Sequence, residues 1–272
     1  MIYGMFFVIN ITDVSFKKNI IYMETKKFLI LIVVVVMPLF FTSCNDDDGY
    51  SLGDMWVSIG TVDNPENGSY FTFTLDNGTK MWAAASDIPS YRPKSGQRLI
   101  AYYTIISDKP EDSSYDHDVV LRDAYNVLTK GIFDVTPETQ DSIGYDPVKI
   151  EDIWIGNDYL NIRFGYNGQN KTHYINLVND VSKTYDDGKV HLEFRHNAND
   201  DAPSRGIRGY VSFDLKSLQN EDSDQIELVI HAKEFDTPNE PKETIHELTY
   251  DFGDSSETNK AIPNEELTED IR

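Results

Sequence analysis

Seven consecutive residues, Arg195-His196-Asn197-Ala198-Asn199-Asp200-Asp201, gather a guanidinium, an imidazole, amides and carboxylates at the end of an apolar-alternating segment. Loops that leave a rigid sheet often carry function, so Arg195, His196 and Asn197 are read as candidate ligand-binding residues. The same run could instead be a turn held by Asn and Asp side chains bonding their own backbone. Asn199, Asp200 and Asp201 offer hard oxygens of the kind that hold calcium; both alternatives stay open, and no metal or cofactor is assigned. Trp82 and Trp154, the latter near Tyr159, form a second candidate set. Their faces could stack on a sugar, or they could be core residues.

Other chemistry finds no support. There is no glycine-rich loop followed by Lys and Ser or Thr, no Gly-x-Ser-x-Gly elbow and no His-Glu-x-x-His. The chain has six histidines. His191 and His196 are five apart, so on an extended strand they face opposite sides and one metal cannot readily take both. Carboxylates are too numerous for any pair to be singled out for glycoside hydrolysis. The expectation is a binding protein and not an enzyme.

The single cysteine, Cys44, has its own pattern. Met23-Glu24-Thr25-Lys26-Lys27 is short and basic, and Phe28 to Phe41 is a run of about 14 residues, nearly all apolar. A spanning helix needs roughly 20 residues, so this is the layout of a cleaved secretory signal. Thr42-Ser43-Cys44 resembles a lipobox, which implies a diacylglycerol on the Cys44 thiol and a membrane as first partner. Asn45-Asp46-Asp47-Asp48-Gly49 resembles the export signal of surface lipoproteins of the Bacteroides group. The expected location is therefore the outer membrane, lipid-anchored and facing the cell exterior. Residues 1–22 fit no signal template and are read as an extension of the gene model.

Charge narrows the partners further. The chain carries −22 formally. Four lysines against Asp13 and Glu24 leave the first 43 residues at +2, hence −24 on the remainder. Nucleic acid is excluded as an expected partner, because phosphate backbones are met with Lys and Arg. An extracellular protein or a glycan remains. With one cysteine there is no intrachain disulfide, so stability rests on apolar burial at roughly 25 cal/mol per Å².

The elements that must position these groups read at period two almost throughout. Phe71, Phe73 and Leu75 share one face, Asn77-Gly78 signals a hairpin, and Lys80 to Ala85 returns. Leu99 to Ile106 is apolar on both faces, which suits a strand of a small closed barrel. Asp118 to Val127 is expected to close that barrel and Leu128 to Val135 to lead out of it. Thr136 to Pro147 is polar, with two prolines and a glycine, and is placed as a linker between separately folding modules. Further short strands follow, at Val148–Ile155, Tyr159–Tyr166, His173–Val178, Val190–Phe194, Ile207–Leu215, Ile226–Ile230 and Thr244–Phe252, with turns at Asn167-Gly168 and Asp187-Gly188. Their spacing suggests a sandwich. The fold class is all-β. The expected divisions are an acidic tether over 44–52, an OB-like barrel over 53–136, a linker over 137–147, a β-sandwich over 148–252 and a mobile acidic tail over 253–272. Along β-strand Val190–Phe194 the inward phase reaches His196, expected to sit at the rim and bond loop backbone. Arg195 then falls outside with His191 and Glu193, free to contact a ligand or pair with a nearby carboxylate.

Several segments together resemble NigD-like lipoproteins. Gly53-Asp54-Met55-Trp56-Val57-Ser58-Ile59-Gly60-Thr61-Val62, Leu75-Asp76-Asn77-Gly78 and Leu128-Thr129-Lys130-Gly131-Ile132 resemble their amino-terminal module. Trp154-Ile155-Gly156, Tyr159-Leu160-Asn161 and Leu192-Glu193-Phe194-Arg195-His196-Asn197-Ala198-Asn199 resemble the carboxy-terminal one. The resemblance implies an OB-like barrel before a β-sandwich and a role in bacteriocin immunity. A carbohydrate-binding accessory protein for glycan uptake is the alternative.

Overall fold

Alternation of apolar residues produces thirteen strands in a computed structural model that describes residues 50–66, 70–237 and 240–252. Cys44, the signal segment and the tail over 253–272 lie outside the described residues. Strands β1 (Trp56–Glu66), β2 (Tyr70–Leu75), β3 (Lys80–Ser86), β4 (Arg98–Asp108) and β5 (His117–Asn126) close into a barrel in the order β1-β2-β3-β5-β4. Phe71, Phe73 and Leu75 fill its core with Leu99, Val119 and Leu121, as the alternation requires. The hairpin at Asn77-Gly78 forms, with Gly78 supplying the positive φ.

The second sheet contains β6 (Leu128–Val135), β7 (Lys149–Gly156), β8 (Tyr159–Gly168), β9 (Tyr174–Asp180), β10 (Val190–Asn197), β11 (Arg205–Asp214), β12 (Gln225–Thr237) and β13 (Glu240–Asp251). Their order is β13-β12-β10-β9-β6-β11-β8-β7. The sheet curls until Val148 bridges Glu234, so its inner face encloses one core that includes Leu160, Ile162, Leu177, Phe194, Phe213 and Ile230. Asn167-Gly168 is not the tight turn expected. β8 runs on through Gly168, which pairs with Arg205.

The division between barrel and sandwich is not where composition placed it. Only Val127 separates β5 from β6, and β6 pairs with β11 and β9 in the large sheet. The stretch Thr136–Pro147 is therefore a connection inside the sandwich and not a linker. The described residues form one compact unit. β4 shows why: Leu99, Ala101 and Tyr103 face the barrel core, while Ile100 and Tyr102 pack with Val57, Ile59, Val127 and Trp154. Burial of β4 on both faces comes from the sandwich lying against the barrel, and Trp154 is part of that shared core.

A polar lock crosses the same junction. Arg98, 1% exposed, forms a two-pronged ion pair with Asp76, with Nη2 2.8 Å from Oδ2. Nη2 also donates to Asn161 Oδ1 at 2.8 Å, and Asn161 Nδ2 donates to Asp76 Oδ2 at 2.9 Å. The guanidinium carbon lies 4.2 Å from the Tyr159 ring centroid. Asp76 reaches this point because its turn presses on Gly156, where a Cβ would come within 2.5 Å of it.

Candidate functional site

β10 alternates as its sequence dictates. Leu192, Phe194 and His196 point into the sandwich, and His191, Glu193 and Arg195 point outward. An outer strand face is ordinarily wet, yet Glu193 is 3% and Arg195 6% exposed. Two segments outside the strands cover them.

The first is the connection 136–147. Its Tyr145 ring lies 4.1 Å from the Arg195 guanidinium carbon, and the Tyr145 hydroxyl donates to Glu243 at 2.6 Å. Burial, reinforced by Glu243, pushes the Tyr145 phenol well above its ordinary pKa. Gly144 makes the close approach possible. It has a positive φ of 75°, and a Cβ there would stand 2.6 Å from that of Asn197. Asn197 fastens this segment by donating to the Ser142 carbonyl at 3.2 Å, and the Asp146 amide donates to the His196 carbonyl at 2.7 Å.

The second is the loop 181–189. Lys183 donates to Glu193 Oε1 at 2.6 Å and lies 3.7 Å from Asp180. Burial is the largest single effect on Lys183 and works against its charge, but the hydrogen bond and charge of Glu193, with Tyr185 and Asp180, together raise its pKa. Asp180 is held below the usual carboxylate range by the Ser182 hydroxyl, with Lys183 and Arg195 adding to the effect. Arg195 Nε donates to Glu193 Oε2 at 2.6 Å. Two carboxylates and two cations thus cancel, which is the condition for keeping them out of water. Tyr185 stacks flat on His191, 3.6 Å between centroids, and His191 Nδ1 lies 2.9 Å from His231 Nε2. Asp187 completes the chain at 3.0 Å from His191 Nε2. A cavity of about 250 Å³ opens here, lined by Asp180, Lys183, Tyr185, Lys189, His191 and Glu193, with Asn179 and Val190.

His196 belongs to a similar chain on the inner side. His173 Nδ1 is 2.7 Å from His196 Nε2, and His173 Nε2 is 3.3 Å from Asp201. Asp201 also accepts the amides of Gln169 and Asn170, and these bonds, with His173, drop its pKa well below the usual range. Burial and then His173 lower His196 to about 4. Its Nδ1 is buried without a hydrogen-bond partner. Asn199 and Asp200 adopt positive φ in the turn, and the Asn197 side chain accepts the Asn199 amide. Asp201 spends its oxygens on amides and imidazole, which favours the turn reading of this stretch over a calcium site.

The sequence reading is corrected in part. Arg195 does lie outside with His191 and Glu193, and it does pair with a carboxylate. It is buried and not free, because its covers come from loops that strand phase cannot register. His196 does point inward, but its side chain meets His173 first. Trp82 and Trp154 do not form a common platform: Trp154 fills the barrel–sandwich junction, Tyr159 supports Arg98, and Trp82 stands on the barrel. Lys183, Tyr145, Tyr185 and His231 were not read as part of a site, and Glu193 was placed on the outer face without being identified as the partner of Arg195. Glu193 alone had a local signal, as the acid between His191 and Arg195 on one strand face.

Residues 59–127 match the NigD-like N-terminal OB domain, and residues 131–246 match the NigD-like C-terminal beta sandwich domain. The chain belongs to the NigD-like family. The family boundary agrees with the strand pairing that puts β6 in the sandwich. Among solved structures, a protein of unknown function from Bacteroides vulgatus is 27% identical with a TM-score of 0.65, over 78% of this chain and 95% of its own. A Parabacteroides distasonis protein described as toxin-related is 32% identical with a TM-score of 0.62, over 75% of this chain and 96% of its own. A NigD-like immunity protein from Bacteroides caccae is 20% identical with a TM-score of 0.56, over 72% and 93% respectively. Comparison with curated proteins gives no match.

Proposed function

We propose that this NigD-like chain is a non-catalytic lipoprotein, anchored through Cys44 and facing outward, that binds an extracellular protein at the capped face of its sandwich in the manner of an immunity protein. One observation carries the reading. The ionisable groups of that face are spent on one another, Glu193 on Arg195 and Lys183, and His191 on Asp187 and His231. Groups so committed are poor general acids or bases, which need reach to a reacting proton. They are good determinants of shape, and two loops over a polar cavity are a surface that a partner can engage. The toxin-related description of the Parabacteroides distasonis protein and the immunity description of the Bacteroides caccae protein support this choice of partner.

The test is growth of a strain lacking the gene, challenged with a purified bacteriocin active on it. The parent protein restores growth, and Tyr185→Ala, which removes the ring over His191, reduces protection. Cys44→Ser leaves the protein in the soluble fraction after a high-salt wash, because the lipid is the anchor. Equal sensitivity with and without the parent protein rejects the immunity role. A Cys44→Ser protein that stays with membranes rejects the anchor.

A further inference from the structure

The barrel carries an aromatic and polar cluster of its own. Trp82 projects outward from β3, since its neighbours Met81 and Ala83 are buried in the core. Tyr115, from the β4–β5 loop, lies against it with ring centroids 5.3 Å apart, and both rings are partly exposed. The loop is strapped to β3: the Asp116 carboxylate accepts the Lys80 amide at 2.7 Å, and the Asp116 amide donates to the Lys80 carbonyl at 2.8 Å. Beside Trp82 in the strand register stands Asp118, 8% exposed. Its Oδ2 takes the Ser107 hydroxyl at 2.7 Å and an ion pair with Lys109, whose Nζ lies 5.6 Å from the Tyr115 ring centroid. Its Oδ1 is buried and meets no hydrogen-bond partner.

We propose that this face, Trp82 and Tyr115 with Lys109 and Asp118, binds a neutral saccharide. Flat ring faces match the C–H face of a pyranose. A carboxylate with unused acceptor capacity beside an ammonium matches hydroxyl groups, each of which both donates and accepts. The placement fits the architecture, because five-stranded barrels of this type bind oligonucleotides or oligosaccharides on the face of strands 2 and 3 and the β4–β5 loop. Charge chooses between them. The chain is at −22, and Lys109 is already neutralised by Asp118, so a phosphate backbone would be repelled where an uncharged sugar is not. This site is separate from the capped face and does not depend on the role proposed for it.

The experiment presents the full chain to an array of neutral oligosaccharides, with an oligo-dT strand alongside, and measures each hit by calorimetry. The parent binds at least one sugar. Trp82→Ala and Tyr115→Ala each weaken it by about ten-fold or more, the scale of one aromatic contact. Trp82→Phe retains most of the affinity, and Arg195→Ala leaves it unchanged. Circular dichroism and melting establish that each variant is folded, and Tyr115→Ala, in a loop, serves if Trp82→Ala is not. A silent array with folded parent, sugar binding indifferent to Trp82 and Tyr115, or preference for oligo-dT overturns the proposal.

Discussion

Two buried arginines hold this molecule in different ways. Arg98 gathers Asp76, Asn161 and Tyr159 at the junction of barrel and sandwich, and each partner stands on a strand or at the turn of a hairpin. Arg195 pairs with Glu193 on its own strand, and it is buried only because Tyr145 and Lys183 arrive from segments outside the ladders. Removing water from the first costs no mobile chain. The second depends on covers that can lift without breaking a sheet, since local openings draw on segments with few ladder bonds. The junction is thus a fixed joint, and the capped face is one whose covers can move while the sheet stays whole.

The largest effect should come from Arg98→Met. It leaves the largely buried Asp76 carboxylate with Asn161 but without its cation, at a cost of about 3–5 kcal/mol. Denaturant unfolding should still show one transition, since Trp154, Ile100 and Tyr102 continue to couple barrel and sandwich. A loss under about 1 kcal/mol would show that the joint is apolar alone, and two separate transitions would restore the reading of independent modules.

Arg195→Ala should cost less, about 2–3 kcal/mol, because Glu193 keeps Lys183 when its other cation is lost. Hydrogen exchange should rise first in 136–147, where Tyr145 loses its support. Exchange that rises equally across the barrel would erase the distinction between joint and cover.

Acid should give the smallest difference and act through His196, on the inner side of the same strand. His196 has a pKa of about 4 in the fold against 6.5 ordinarily. Above pH 6.5 neither state holds the extra proton. Between 6.5 and 4 the unfolded chain binds it and the folded one does not, so stability falls as pH drops through that window. Unfolding midpoints of the parent and His196→Gln between pH 7 and 4 test this. The variant should hold its stability where the parent loses it, and parallel curves would assign the acid sensitivity elsewhere.

Much of this was legible from residue order. Strand positions followed from alternation where a strand has one dry face, and the alternating Phe71, Phe73 and Leu75 all fall on the buried face of β2. The outward phase of His191, Glu193 and Arg195 was equally readable. The division at Val127 was not: Thr136–Pro147 has the composition of a linker, and composition reports solvent contact and turn propensity without saying which sheet a strand joins. β4 was read correctly as buried on both faces, but its second face is covered by Trp154 from another module.

By itself the sequence determined an all-β chain, the order and phase of its strands, a strongly acidic composition, and the family to which it belongs. These depend on period, composition and local spacing, which the chain carries wherever it lies. Only the tertiary structure decided that Arg195 is buried and Trp82 is not, that Asp76 reaches Arg98 and Asn161, and that two pairs of histidines meet. The contacts of Asp76 and the two histidine pairs join residues 22 to 85 positions apart. Which side chain loses its water depends on which distant segment arrives to cover it.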